Sequence, residues 1–470
     1  MTLKHLLAIA LLAASATSAN AQTTVGKGGI TPEMLTQMRQ AYPTTPADRA
    51  LRNALAGTSI NQLATNANNA DATDTHFSNE VPSRGITDQK SSGRCWLFTG
   101  LNVMRAKMIK QYGLGDFQFS QSYNFFYDQL EKSNLFLQAV IDNAKKPMND
   151  QLVDWLFKNP LSDGGTFCGV IDVVSKYGVV PAEVMPESFT ANNTSRMASI
   201  LSLKLREYGL TLRKMAAQGK KSAELQKVKT QQLSTIYHIL TICLGEPVQK
   251  FTWAPRDASG KLLGEVKEYT PQQFYKEFVG TDLKNSFVMV MNDPSRPYHK
   301  TYTIDMDRHS YDGLQWTYLN LPMEEIKPLA IASIKDSTMM YFSCDVGKYL
   351  DSKTGILSLR NSDYESLFAT TFPMTKAERI STYASASSHA MTLMAVDLDA
   401  NGTPRKWMVE NSWGPTSGYK GHLIMTDEWF DEYMFRLVID KKYVPAATLD
   451  LLKQPATKLP AWDPLFAGEE

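Results

Sequence analysis

Apolar positions change period along this chain, helical in its first half and strand-like later. Leu97, Leu101, Met104 and Met108 recur at spacings of three and four, one face of a helix that starts at or near Cys95 and stops before Gly113 and Gly115. Upstream, Thr31-Pro32-Glu33 reads as a helix start, the stretch from Arg49 to Leu63 as helical, and Asn66 to Thr75 as a connecting loop. From about Ser195 to Leu244, two long helices are predicted. Met197, Ile200, Leu201, Leu205 and Tyr208 form their packing stripe, and charges such as Lys214 to Lys221 form a wet face. From Phe287 onward the runs shorten: Ser286 to Met291 and Met339 to Cys344 read as strands. A longer apolar strand opens at His389, turns through Asp399-Ala400-Asn401-Gly402 and returns as Lys406 to Asn411. Centred near Ala400, that hairpin would set His389 opposite Asn411. No internal repeat or low-complexity segment interrupts this α+β pattern.

Composition narrows the class. The chain has 470 residues, 43% hydrophobic and 21% charged, which excludes a disordered, collagen-like or rod-like chain. At about 150 residues per domain this length allows about three units. Lys and Arg number 49 against 48 Asp and Glu, so no basic excess points to nucleic acid. Residues 1–21 have the form of a secretory signal peptide: Lys4 and His5, an apolar run from Leu6 to Ala14, then Ala19-Asn20-Ala21 before Gln22. The run is well short of the roughly 20 residues a bilayer needs, and no later stretch reads as a membrane span. An exported protein, periplasmic or secreted, is expected. Four cysteines are too few for a disulfide scaffold; Cys168, Cys243 and Cys344 read as buried packing.

Cys95 is different. It follows Gln89-Lys90-Ser91-Ser92-Gly93-Arg94 and opens a helix, whose free N–H groups and positive dipole end favour a thiolate. A thiolate nucleophile needs a His as base and an acceptor to orient that His. Of seven histidines, His389 alone stands where an amide, that of Asn411, could take this part; His76, His238, His299, His309 and His422 stand in unremarkable contexts. Other signals fall away. Asp397-x-Asp399-x-Asn401-Gly402 imitates the start of a calcium loop, but Met408 stands where a bidentate Glu is needed and Pro404 intrudes. Lys27-Gly28-Gly29 lacks phosphate-loop spacing, no H-E-x-x-H occurs, and Asn192, Asn193 and Asn401 fit glycosylation sequons.

Gln89, Gly93-x-Cys95-Trp96, His389 and Asn411-Ser412-Trp413-Gly414 together resemble the signatures of papain-like cysteine peptidases. The family separates Cys and His by about 130 to 150 residues, whereas here the separation is 294. That length, with Asp163-Gly164-Gly165, Lys176-Tyr177-Gly178, Val184-Met185-Pro186-Glu187-Ser188 and Leu459-Pro460-Ala461-Trp462-Asp463-Pro464, resembles the bleomycin hydrolase and bacterial aminopeptidase C branch. The resemblance implies a two-lobed fold, a helical lobe and a β-barrel-like lobe, with a large helical insertion. It divides the chain into an N-terminal extension over 22–75 packing on the catalytic unit, a helical lobe over 76–194, a hook-like insertion over 195–250, a β-rich lobe over 251–455 and a C-terminal arm over 456–470 that reaches the cleft.

The roles it implies are Cys95 as nucleophile, His389 as base and acid, Asn411 as the orienting residue, and Gln89 with the Cys95 N–H as oxyanion donors. Trp413 would shield the His–Asn bond, Gly164 and Gly165 would let substrate backbone lie close, and Glu470 would meet the substrate's α-ammonium. The expected activity is removal of N-terminal residues from peptides with broad specificity, with no metal or organic cofactor, in a homo-oligomer that the resemblance makes a hexamer. Endopeptidase action, or acyl transfer to an amine through the same thioester, is the alternative; a non-enzymatic shell would not require all four of Gln89, Cys95, His389 and Asn411.

Overall fold

A computed structural model describes residues 28–466 apart from Pro43, Ala70, Ala72 and Thr73. The leader expected over 1–21 and the site residue Glu470 lie outside the described residues. The chain divides into two compact units, one up to Ala64 and one from Thr65 onward. In the first, Thr31 caps the helix Pro32–Ala41 by accepting from the Met34 N–H, and a reciprocal box between Thr45 and Asp48 starts the helix Pro46–Leu55. The helical stretch expected over Arg49 to Leu63 is two helices, because the chain stops at Leu55, passes Gly57, and restarts at Ile60–Ala64 with the Ser59 hydroxyl accepting from the Gln62 N–H.

In the second unit the helices Cys95–Tyr112, Gln121–Asp142, Gln151–Lys158 and Phe167–Tyr177 precede most of the strands. The first ends at Gly113, whose φ of 65° is the left-handed cap a side chain would resist. Leu97, Leu101, Met104 and Met108 are all buried, the face their spacing predicts. The helices Ser195–Ala217 and Ser222–Leu244 pack against each other and against Gln121–Asp142. Their stripe is narrower than expected: Met197, Leu201, Leu205 and Leu212 are buried, while Ile200 is exposed and Tyr208 half-buried.

Among the described residues a twelve-stranded mixed sheet follows. Its order is Thr457–Leu459, Lys300–Ile304, Thr317–Asn320, Phe287–Met291, Met434–Asp440, Met340–Cys344, His389–Leu398, Pro404–Glu410, His422–Thr426, Ile356–Leu357 and Leu350–Asp351, with Asn79–Glu80 added to the His389 strand. One apolar core lies among the helices around Trp96, Phe126 and Phe136; a second lies on the sheet around Phe342, Trp407 and Phe430. The His389 strand sits near the middle of the sheet and packs against the Cys95 helix, so the two segments singled out in the sequence meet.

The hairpin register differs from a turn centred at Ala400. Thr392 pairs with Glu410 and Val396 with Trp407, shifted by two and three residues. Asp399 causes the first part: its carboxylate accepts from the Asn401 and Thr403 N–H groups, centring the loop on Asn401. The irregularity between Asp397 and Leu398 adds one more residue, and that between Leu393 and Ala395 takes it back. The direct ladder partner of His389 is Cys344 on the other side. All four cysteines are free thiols; Cys168 and Cys344 are buried as expected, but Cys243 is partly exposed.

Candidate active site

Cys95 is the first residue of its helix, so its sulfur lies at the end where N–H groups have no helical acceptor. The residue before it, Arg94, is buried and pairs with Glu187 at 2.8 Å, its guanidinium lying over Phe98 and Phe125. Gly93 donates its N–H to the Asp163 carboxylate at 2.7 Å, and a side chain at Gly93 would collide with that carboxylate. The Thr194 hydroxyl binds the same carboxylate oxygen, and the Trp96 indole N–H donates to the Asp163 carbonyl at 2.9 Å. Asp163 therefore clamps the chain on both sides of Cys95. Part of the Cys95 surface stays open. Desolvation by the surrounding protein pushes its thiol up to about 11, and the Asp163 carboxylate adds to this; the backbone N–H groups of Ala390 and Trp96 act on the sulfur in the opposite sense.

The Ala390 N–H places the sulfur beside the start of the His389 strand. His389 is 6% exposed, and its Nε2 lies 2.8 Å from Asn411 Oδ1. The same Oδ1 accepts the Ser412 N–H at 2.8 Å, which identifies that atom as the amide oxygen. Nε2 therefore carries the proton and Nδ1 has the free lone pair. Burial pulls the imidazole down to about 4, while the Asn411 contact favours the charged form. Trp413, half-buried, lies against His389 with ring centroids 4.8 Å apart.

Gln89 is held by the same turn. Its backbone N–H donates to the Ser412 carbonyl at 2.8 Å, and its Oε1 accepts the Ser412 hydroxyl at 2.6 Å. Nε2 donates one hydrogen to the Ser92 carbonyl at 2.6 Å and keeps a second. Ser412 thus orients the Gln89 amide, a part the sequence reading did not assign although Ser412 lies within its motif.

Gly164 and Gly165 follow the Asp163 clamp. Lys132 donates to the Gly164 carbonyl at 2.5 Å and to the Ser162 carbonyl at 3.1 Å. The two glycines border a cavity of about 350 Å³ whose walls include Phe136, Trp155, Met306 and Phe466. His309, which the sequence reading passed over, packs against them and is itself among the walls of this cavity. It is 2% exposed, accepts the Thr166 N–H on Nε2 at 3.2 Å, and lies 2.5 Å from Asp128 through Nδ1. Its signal lay in Gly165 and Gly169, where any Cβ would strike the imidazole.

The arm is docked as far as it is described. Asp463 pairs with Arg296 at 2.5 Å, Arg436 donates to the Leu465 carbonyl at 2.9 Å, and Phe466 lies against Trp155 with centroids 5.5 Å apart. Among the described residues no group of three or more His, Cys, Asp or Glu is placed to hold a metal ion, and no helix is long and apolar enough to cross a membrane.

Known proteins resemble this chain over most of its length. The model of the peptidase C1-like family matches residues 29–466. Bleomycin hydrolase of Mus musculus is 42% identical over 406 residues, covering 84% of this chain and 89% of that protein. Aminopeptidase C of Lactobacillus delbrueckii subsp. lactis is 38% identical over 399 residues, covering 84% of this chain and 88% of that protein. The crystal structure of PepW from Lactobacillus rhamnosis HN001 matches with a TM-score of 0.89 and 38% identity, over 93% of this chain and 99% of that one.

Proposed function

The chain belongs to the peptidase C1-like family and is a cysteine aminopeptidase, and from that premise we propose how its residues carry the reaction. The Cys95 thiol passes its proton to His389 Nδ1, and the thiolate attacks the first peptide carbonyl of the substrate. The oxyanion accepts hydrogen bonds from the remaining Gln89 Nε2–H and the Cys95 backbone N–H, an interaction typically worth about 3 kcal/mol of barrier. The imidazolium then protonates the departing amine, leaving the N-terminal residue as a thioester on Cys95. Water, deprotonated by His389, hydrolyses the thioester and restores the thiol. Asn411 holds the imidazole throughout, and Trp413 keeps water from that bond.

The observation that carries this reading is the 2.8 Å contact of His389 Nε2 with Asn411 Oδ1, beside a cysteine at a helix start under the Ala390 N–H. Gly164 and Gly165 form the edge along which substrate backbone runs, and the arm restricts the cleft to peptides with a free N-terminus. The protein is exported through its leader, and it assembles as a homo-oligomer, a hexamer by resemblance. Exposed apolar Phe189, Leu203 and Ile242, on or beside the two long helices, support assembly, and light scattering of the mature protein tests its number.

The test of activity is one peptide, offered free and N-acetylated, under reducing conditions. Stepwise loss of N-terminal residues from the free form alone is expected, with no turnover by Cys95→Ala. Internal cleavage of both forms would replace the exopeptidase reading with an endopeptidase one.

A further inference from the structure

His309 and Asp128 are buried, hydrogen-bonded to each other, and absent from the steps above. Their surroundings say what they hold. Asp128 lies on the helix Gln121–Asp142 and also takes Lys132 at 3.0 Å; Lys132 in turn donates to the carbonyls of Ser162 and Gly164. With Nε2 accepting from the Thr166 N–H, the His309 proton must sit on Nδ1, where Asp128 accepts it. The His309 ring faces Trp96, next to the nucleophile, with centroids 4.5 Å apart. It also fills the space that Gly165 and Gly169 leave open. One imidazole thus touches both the segment 164–166 and Trp96 of the Cys95 helix, while Lys132, on the same carboxylate, grips the segment's other end.

We propose that the His309–Asp128 pair is a positioning unit for peptide binding: it fixes the Gly164–Gly165 edge at the distance from Cys95 at which a substrate backbone can lie against it. The proposal rests on the reading of that edge as substrate-facing. His309 and Asp128 touch no reacting atom; they act through Thr166, Gly164 and Trp96.

Three variants test it: His309→Phe, which keeps a flat ring and loses both ring nitrogens; Asp128→Asn, which keeps shape and loses charge; and His309→Gln, whose amide can both donate and accept. For His309→Phe, KM for free peptides is expected to rise about tenfold with kcat changed less than about threefold, the pattern of lost uniform binding. Asp128→Asn should shift KM in the same direction, and His309→Gln should recover most of the loss. Alkylation of Cys95 by iodoacetamide, which reports the nucleophile without the edge, should keep its wild-type rate. Hydrogen exchange of the peptide spanning residues 163–167 should quicken in His309→Phe and Asp128→Asn. An unchanged KM, unchanged exchange over 163–167, or a fall in kcat matched by slower alkylation would overturn the proposal. A wild-type protein that releases nothing from free peptides would sink the aminopeptidase reading instead, leaving the exchange measurement to decide on the pair.

Discussion

Neither Cys95 nor His389 is drawn into its charged form by its own site: desolvation pushes the thiol up to about 11 and the imidazole down to about 4. The charges arise together, when one proton crosses between them, so the active form is the one carrying a single proton over the two groups. Below the lower of the two values His389 takes a second proton while Cys95 keeps its own, and no base remains. The acid limb of kcat/KM is therefore expected near pH 4, with a one-proton slope, and the rate should hold level through pH 5 and 6. A midpoint at the ordinary imidazole value of about 6.5 would refute this, and a profile on a small amino-acid amide suffices to tell. The oxyanion site makes a second residue-scale prediction. Gln89→Ala should lower kcat about 10²- to 10³-fold. Ser412→Ala, which removes the donor to Gln89 Oε1 at 2.6 Å but leaves the amide in place, should lower it in the same direction by less. Equal rates for Ser412→Ala and wild type would show that Gln89 is oriented without Ser412.

The elements bearing these residues are tied by a buried ion pair. Arg105, on the Cys95 helix, meets Glu410, last residue of the returning strand and neighbour of Asn411, at 2.6 Å; both side chains are essentially without solvent contact. The Ser83 hydroxyl binds the same carboxylate. Glu410→Gln leaves the guanidinium buried against a neutral partner, which typically costs about 3 to 5 kcal/mol. A drop of that size in unfolding free energy, read from urea titration, is expected together with a weaker His389–Asn411 contact and lower kcat; unchanged stability would mean that the pair adds nothing net. The sequence showed both elements but not this tie. Leu97 to Met108 and Gly113 mark the helix through periodicity and a cap, and His389 to Val396 marks its strand, because such patterns are local. The hairpin register was two to three residues off because an Asp399 loop and strand irregularities carry no period. His309 was missed because its partners stand 181 and 143 residues away, a separation over which composition and spacing say nothing.

At the scale of the molecule, the long interval between Cys95 and His389 holds the two long helices and strands of the sheet, while the closing segment returns across the sheet edge to the cavity beside Gly164 and Gly165. Thr457–Leu459 adds in parallel to Lys300–Ile304, and Asp463, almost wholly buried, is fixed by Arg296 and accepts the Leu465 N–H. Leu465 is itself buried, and its carbonyl is held by Arg436, so Phe466 is delivered to the cavity wall beside Trp155. A segment held by an ion pair, a guanidinium–carbonyl bond and an aromatic contact is a wall of the cavity beside Gly164 and Gly165, which we propose to be the substrate cleft. Removing residues 461–470 should therefore extend the cleft beyond the Gly164–Gly165 edge: N-acetylated peptides become substrates, internal bonds are cut, and the advantage of a free α-amine shrinks. Arg296→Met, which frees Asp463 and shortens nothing, should move the products the same way to a smaller extent and guards against a deletion that only unfolds the site. Mass spectrometry of the products from paired free and acetylated peptides separates the outcomes. If the shortened enzyme still strips residues from free peptides and still refuses acetylated ones, the arm is not what limits the chain to N-termini, and that selectivity must come from the cavity walls themselves.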